Sequence, residues 1–315
     1  MHRRPGQPGG HPGAHPALSA GHPGGPRLHS HRPSAARHHH RARGRIAGPR
    51  RWRDPLHRGP AAGDGGPARP AARHLRPRGS PPVTRTSQLV TPVLKRLVRL
   101  CCRVDDREAA RVPWQGPLIL LGNHINTLDA PLLYSHFLPR PITAFAKVET
   151  WGNPLFAFLF NMWEAIPLRR GEADVTALRQ GLAALEARRM LAIFPEGHRS
   201  GDGRLGPAHP GVVMLALHSG APLLPVVHYG GEALGQNLKR LRRTDVRIVV
   251  GRPFYLDAHG APATRRVRQQ MADEAMYQLA ALLPPRYRGH YANLAAASEE
   301  YLRFPEGSAS NVRGA

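Results

Sequence analysis

The feature of the sequence that most constrains the fold is an alternation of short apolar runs with helical patterns, which begins after Pro113. The apolar runs have the length expected of buried strands and lie at 117–121, 142–146, 165–168, 190–194, 223–227 and 246–250. Helical patterns occur between and after them, at 128–134, 153–163, 174–189, 211–219 and 264–283. Strands that alternate with helices predict an α/β fold, in which helices flank a mostly parallel or mixed sheet.

Residues 1–82 differ from the rest of the chain in composition and charge. They hold 16 arginines, no lysine and two acidic residues, and so carry +14 of the formal net charge of +24. With few branched aliphatic or aromatic residues, such a segment cannot bury enough apolar surface to offset the entropy of ordering. We therefore predict a disordered basic tail. It is either a genuine part of the protein or an over-extension of the reading frame, with the true start near Val83.

The remaining chain divides into three parts. Residues 83–112 show helical apolar periodicity over 86–104 with interleaved Lys and Arg, which predicts an amphipathic helix on an anionic membrane surface. The alternative is an ordinary helix packed on the domain. Residues 113–290 form the predicted main domain, and 291–315 a C-terminal tail. The sequence has no run of about 18 apolar residues, so membrane contact is predicted to be peripheral.

The first polar segment with candidate catalytic side chains follows the first predicted strand and contains His124 and Asp129. On a continuous helix two side chains five residues apart diverge by about 140°. They meet only if His124 lies in a turn and Asp129 in the first helical turn, where the carboxylate fixes the tautomer of the imidazole and leaves its other nitrogen as a base. The sequence has no G-x-S-x-G motif, so the substrate's own hydroxyl would be the nucleophile. The alternative is a capping aspartate beside a structural histidine.

A second polar segment, F-P-E-G-H-R-S at 194–200, also follows a predicted strand. An arginine beside a glycine-containing turn is suited to gripping a phosphate with two hydrogen bonds. Glu196 is predicted either to orient Arg199 or to bind a substrate hydroxyl. The alternative is a surface turn that carries an ion pair.

Two weaker segments complete the set. The first, at 165–171, places Arg169 and Arg170 at another strand end, although a solvated basic loop would have the same sequence. The second contains Pro225 within a predicted strand. Because proline cannot donate to a strand ladder, Pro225 predicts an edge strand or a bulge that lines a site.

In this order, the four segments resemble the motif blocks of the 1-acylglycerol-3-phosphate acyltransferase family, the bacterial-type glycerolipid acyltransferases, over roughly 113–256. The positions that match are His124 and Asp129 of H-x-x-x-x-D, Lys147 and Glu149 of K-x-E, Arg170 of the second block, Glu196, Gly197 and Arg199 of F-P-E-G-x-R-S, and Pro225 of the fourth block. The sequence departs from the usual family pattern at Glu164, Arg169, His198 and His209. These departures bear on the acceptor more than on the reaction.

The resemblance implies an O-acyltransferase of phospholipid synthesis. It would move a fatty acyl group from acyl-CoA or an acyl-carrier protein to the hydroxyl of a lysophospholipid, above all 1-acyl-glycerol-3-phosphate, which yields phosphatidic acid. The implied catalytic residues are His124 as general base and Asp129 as its partner, and the implied substrate-binding residues are Arg170, Glu196, Gly197, Arg199 and Pro225. The resemblance implies no metal or other cofactor, and it implies work at the cytoplasmic face of a membrane.

Two other classes of function remain open at this point. A thioesterase-like hydrolase would release free fatty acid and would not need two phosphate-binding arginines. A nucleic-acid-binding protein would rely on the arginines of the tail, which neutralise phosphates, although Trp52 is the single aromatic residue there for base stacking.

Overall fold

The structure is a computed structural model that describes residues 85–137, 139–171 and 174–314. The predicted tail at 1–82 lies outside these described residues. The helices are α1 (Arg85–Cys101), α2 (Asp129–His136), α3 (Pro154–Met162), α4 (Val175–Glu186), α5 (Gly211–Ser219), α6 (Leu234–Lys239) and α7 (Arg265–Ala280). The strands are β1 (Cys102–Asp105), β2 (Leu118–Gly122), β3 (Ile142–Lys147), β4 (Ile166–Leu168), β5 (Met190–Ile193), β6 (Leu223–Tyr229), β7 (Thr244–Val250), β8 (Tyr255–Leu256) and β9 (Leu302–Arg303).

Within the described residues, seven strands form one sheet in the order β1-β7-β6-β2-β5-β3-β4. The strands β2 to β6 are parallel wherever they pair, whereas β7 runs antiparallel to β6, and β1 runs parallel to β7. The predicted α/β fold with a mixed sheet is therefore confirmed. Because β2 lies between β5 and β6, the polar segments that follow β2 and β5 leave the sheet at the same edge.

Helices cover both faces of the sheet, as the strand alternation requires. In β2, Ile119 and Leu121 point to a core that contains side chains of α4, α5 and α7, while Leu118 and Leu120 point to a second core with α2 and α3. All four β2 side chains are buried. Burying one such side chain contributes roughly 1.5–3 kcal/mol. This two-sided burial explains why the strand is a continuous apolar run.

The N-terminal helix is shorter than the predicted helix over 86–104, because it ends at Cys101. Cys102–Asp105 is strand β1, which pairs in parallel with β7. The guanidinium group of Arg243 donates hydrogen bonds to the carbonyl oxygens of Arg99 and Cys102, and so binds the end of the helix and the start of the strand together. Pairing with β7 therefore overrides the helical periodicity of the last three predicted residues.

The faces of α1 have different surroundings. Leu94 and Val98 pack against the domain. A second stripe, made of Leu89, Val93, Leu97 and Leu100, is exposed, with between 54% and 74% of each residue accessible. The helix is thus both packed and apolar on its outer side, and its placement on a membrane stays a prediction. Among the described residues, no helix is long and apolar enough to cross a bilayer.

Pro225 does not lie on an edge strand, so the edge-strand alternative of this prediction was wrong. β6 is paired on both sides, with β2 and with β7. Proline is tolerated there because its nitrogen points toward β7 at the position where that ladder ends: the last paired residue is Val226, and Gly251 donates its N–H to the carbonyl of Pro225 at 2.9 Å.

Described residues of the predicted C-terminal tail pack on the domain. β9 pairs with β8, and the buried Glu274 of α7 accepts hydrogen bonds from the Ser298 hydroxyl and the backbone N–H groups of Glu300 and Tyr301. Further along, the backbone N–H of Asn311 donates to Gln278 of α7. The segment after 290 is therefore held by buried polar groups of α7.

Candidate active site

Asn123 fixes the start of the turn that follows β2. Its side chain is buried and makes two hydrogen bonds with the backbone of one β6 residue. Nδ2 donates to the carbonyl of His228 at 2.9 Å, and Oδ1 accepts the N–H of His228 at 3.0 Å. The amide thus continues the pairing of β2 and β6 beyond Gly122, and the turn leaves the sheet from a fixed point.

His124 and Asp129 are in direct contact across this turn. Nδ1 of His124 lies 2.5 Å from Oδ2 of Asp129. The same carboxylate accepts the backbone N–H of Ile125 at 2.8 Å and that of Asn126 at 3.2 Å. Asp129 is the first residue of α2, where unpaired N–H groups and the helix dipole favour a negative charge. The turn and the first helical turn therefore meet as the spacing argument requires, while the catalytic role of the pair stays a prediction.

The carboxyl group of Asp129 is ionised. Burial by itself would raise its pKa, because only 1% of the side chain is exposed. The contacts of the carboxylate with the rings of His124 and His228 outweigh burial and hold the pKa of Asp129 well below its usual range. An ionised Asp129 accepts a hydrogen bond from the Nδ1–H group of His124. The neutral imidazole then has Nε2 unprotonated and able to take a proton.

Two further contacts hold His124. Its ring stacks on Phe194, with 4.7 Å between ring centroids. Its backbone N–H donates to Oε1 of Glu196 at 2.8 Å, while Oε2 of Glu196 accepts the N–H of Gly206 at 3.0 Å. Burial raises the pKa of Glu196 in spite of these two bonds. Both carboxylate oxygens thus join the His124 turn to the loop after β5, instead of orienting Arg199.

His124 lines a cavity of about 420 Å³. Most of the lining is apolar, and it includes Leu133, Tyr134, Phe156, Leu159, Phe160 and Trp163. The rings of Tyr134 and Trp163 stack with centroids 4.1 Å apart and make one wall rigid. A cavity of several hundred Å³ with apolar walls and a few polar groups is typical of a site for a small molecule or a lipid chain.

Three cationic side chains line the same cavity: Lys147, Arg170 and Arg199. Lys147 pairs with Glu149 at 3.2 Å. The two arginine side chains form no ion pair with any residue in the described ranges. Burial, together with the charge of Arg199, lowers the pKa of Arg170. The two guanidinium groups therefore repel each other, and a phosphate bound between them would relieve this repulsion.

The structure brings together most of the predicted site residues. His124, Asp129, Arg170, Gly197 and Arg199 line one cavity, whereas Glu196 and Pro225 are absent from its lining. Gly197 has a φ of +70°, and a Cβ atom there would come within 2.8 Å of His209. The turn therefore requires glycine. Pro225 instead packs against Gly251.

His228 and Asn123 were not singled out in the sequence, although both contact the site. Nε2 of His228 lies 3.2 Å from Oδ1 of Asp129, the oxygen that His124 does not use. The signal for His228 was present in the strand alternation, which puts it on the same face of β6 as Leu224 and Val226, toward α2. No comparable pattern indicates Asn123, because its bond to β6 depends on the order of the strands.

Comparison with known proteins finds one family model and several similar proteins. Residues 103–229 match the family model described as Acyltransferase, so this part of the chain is similar to that family. The resemblance predicted from the four motif segments is confirmed.

Individual relatives are similar over part of their length. A chloroplastic 1-acyl-sn-glycerol-3-phosphate acyltransferase of Brassica napus is 29% identical, over 44% of this chain and 41% of its own. A lyso-ornithine lipid O-acyltransferase of Pseudomonas aeruginosa is 32% identical, over 44% of this chain and 55% of its own. The solved 1-acyl-sn-glycerophosphate acyltransferase of Thermotoga maritima is 22% identical with a TM-score of 0.45, over 60% of this chain and 78% of that chain. The matched part thus spans about half the length of the two curated relatives.

Proposed function

We propose that the protein transfers a fatty acyl group from an acyl thioester to the hydroxyl of a lysophospholipid. One observation carries this proposal: His124, held by Asp129, lines an apolar cavity whose lining also includes Arg170 and Arg199. The cavity thus combines a base, room for an acyl chain and two cations for an acceptor phosphate.

The chemistry follows from the free nitrogen of His124. Nε2 takes the proton of the acceptor hydroxyl while the oxygen of that hydroxyl attacks the thioester carbonyl. The tetrahedral intermediate collapses, the carbon–sulfur bond breaks, and the new ester remains. The protonated imidazole then returns the proton to the departing thiolate. Asp129 keeps its negative charge throughout and stabilises the imidazolium that forms.

The preferred acceptor in this proposal is 1-acyl-glycerol-3-phosphate, which would give phosphatidic acid. Arg170 and Arg199 support a phosphate, because a guanidinium group can bind two phosphate oxygens at once. Among the relatives, one is named for 1-acyl-sn-glycerol-3-phosphate and another for a lyso-ornithine lipid, whose headgroup is an amino acid. The two cations favour the first of these acceptors.

The donor in this proposal is acyl-CoA or an acyl-carrier protein, and the reaction needs no further cofactor. Since both donors occur in the cytoplasm, we place the reaction at the cytoplasmic face of a membrane. The exposed apolar stripe of α1 and the interleaved Arg96 and Arg99 suit an anionic lipid surface. The exposed Leu155 and Phe158 of α3, the helix that also lines the cavity, add apolar surface near the site.

The test is a transfer assay with the full chain, radiolabelled palmitoyl-CoA and three acceptor conditions: lysophosphatidate, lyso-ornithine lipid and no acceptor. We expect labelled phosphatidate as the main product and little free fatty acid. If the lyso-ornithine lipid is acylated in preference, the proposed acyl transfer stands and the proposed phosphate acceptor is wrong. Release of free palmitate at the same rate without acceptor would show a thioesterase and contradict the proposal.

A further inference from the structure

Asp129 is contacted by two imidazole rings, and the transfer mechanism uses only one of them. His124 Nδ1 approaches Oδ2, and His228 Nε2 lies 3.2 Å from Oδ1. The side chain of His228 is 12% exposed and is absent from the lining of the 420 Å³ cavity. His228 is therefore placed to act on Asp129 and not on a substrate.

The backbone at His228 is held in place more firmly than its ring. Asn123 binds both its N–H and its carbonyl, and the residue pairs with Ile248 of β7. In contrast, both ring nitrogens are buried and make no hydrogen bond with any described residue. A small cavity of about 20 Å³ borders the ring and Asp129, which leaves the ring room to turn.

The chemistry of the neighbour decides which way the ring is protonated. An ionised carboxylate accepts hydrogen bonds and cannot donate them, so the nitrogen that faces Asp129 carries the hydrogen. A buried polar group without a partner is costly, and a small rotation would align this N–H with Oδ1. The ring therefore gains most by donating to the oxygen that His124 leaves free.

We propose that His228 is a positioning residue for the acyl transfer, which holds the Asp129 carboxylate from the side opposite His124. Oδ2 then stays directed at Nδ1 of His124. The backbone N–H groups of Ile125 and Asn126 hold the carboxylate from the turn, and His228 supplies the contact from the sheet. This role rests on the proposed function, but the geometry of the His124–Asp129 contact can be measured without turnover.

The test compares His228→Leu and His228→Asn, which cannot donate to Asp129, with His228→Gln, whose longer amide can. The first readout is the downfield proton resonance expected for Nδ1–H of His124 bonded to Asp129, recorded on the full chain and assigned by its loss in Asp129→Asn. We expect this resonance to shift or broaden in the Leu and Asn variants and to return toward the wild-type position in the Gln variant. An unchanged resonance in folded Asn and Leu variants would overturn the positioning role.

The second readout is steady-state transfer. Loss of a charge-assisted hydrogen bond should lower kcat at least about tenfold in the Leu and Asn variants, with little change in either KM, and the Gln variant should recover most of it. In an Asp129→Asn background, His228→Leu should lower kcat by less than about a further twofold, because the effect of His228 passes through Asp129. Equal losses in both backgrounds would contradict the proposal. If the wild type lacks transfer activity but the resonance responds as expected, the proposed function fails, while the finding that His228 positions the Asp129 carboxylate stands.

Discussion

At the scale of single residues, the turn between β2 and α2 holds His124 in contact with Asp129. The five-residue spacing of His124 and Asp129 bridges a turn and the first residue of α2, and the intervening backbone N–H groups bind the carboxylate. The charge of Asp129 is therefore stabilised both by neighbours in sequence and by His228 of β6. Phe194 and Glu196, which come from another strand end, then fix the plane and backbone of His124.

Replacing His124 with alanine should abolish transfer while the fold persists, because no other described residue pairs a base with Asp129 on the cavity wall. General-base catalysis contributes roughly 10²–10⁴ in rate, so kcat should fall by that range. His198→Ala is the matched control, since His198 lies beside the site but is not part of the cavity lining, and it should stay within about threefold of wild type. An His124→Ala enzyme that retained more than about a tenth of the rate would rule out the base role.

Replacing Arg170 or Arg199 with alanine should weaken acceptor binding far more than donor binding. A charge-assisted bond to a phosphate is worth about 1.5–3 kcal/mol, which corresponds to one or two decades in acceptor KM where KM follows binding. Arg204→Ala is the matched control, because this exposed arginine follows the same strand as Arg199 and is absent from the cavity lining. If the acceptor KM is unchanged in both test variants, these arginines do not bind the phosphate.

At the scale of elements, α1 has both a face packed on the domain and an exposed apolar face, which the two alternatives from the sequence require. Leu94 and Val98 hold the helix on the domain, while Leu89, Leu97 and Leu100 face outward. Deleting the whole predicted helix at 86–104 would also remove strand β1, which pairs with β7. Point substitutions on the outer stripe therefore test membrane contact without disturbing the sheet.

The triple substitution of Leu89, Leu97 and Leu100 by glutamine should reduce pelleting with anionic vesicles. Burying one leucine in the lipid interface contributes roughly 1.5–3 kcal/mol to membrane binding, and each substitution removes this contribution. Leu238→Gln with Leu241→Gln is the matched control, because these leucines are exposed elsewhere on the surface, on α6 and just after it. Equal pelleting of wild type, test and control variants would mean that another surface meets the lipid. The thermal unfolding midpoints of the wild type, the test variant and the control variant should agree.

At the scale of the whole molecule, charge and chemistry are separated along the chain. Every residue of the candidate site lies beyond residue 122, whereas +14 of the +24 net charge lies within 1–82, outside the described residues. A basic segment of this size binds nucleic acid through phosphate neutralisation whatever the rest of the protein does. The candidate site and the basic segment are therefore separable by experiment.

A chain that starts at Val83 should keep full transfer activity and lose most non-specific nucleic-acid binding. The measurement compares both chains in the lysophosphatidate assay and in a gel-shift titration with unrelated DNA at two salt concentrations. The full chain should show the steeper salt dependence, because it releases more counterions. A loss of transfer activity in the shorter chain would show that the basic segment serves the reaction.

The sequence by itself determined the α/β class, most of the strands and helices, and the contact of His124 with Asp129. These features depend on neighbours along the chain: periodicity sets the element type, and the turn between β2 and α2 sets the pair. The sequence also indicated Arg170, Gly197 and Arg199, because motif segments that follow parallel strands converge at one edge of the sheet.

Tertiary structure alone decided the features that depend on which strands are neighbours. Strand β1 exists because β7 offers it a partner, and Pro225 fits a central strand because the β7 ladder ends beside it. Glu196 binds the backbone of His124, 72 residues away, and His228 reaches Asp129 because β6 lies next to β2. In each case the partner is distant in sequence, so no local pattern could specify it, and the physical reason is the order of the strands in the sheet.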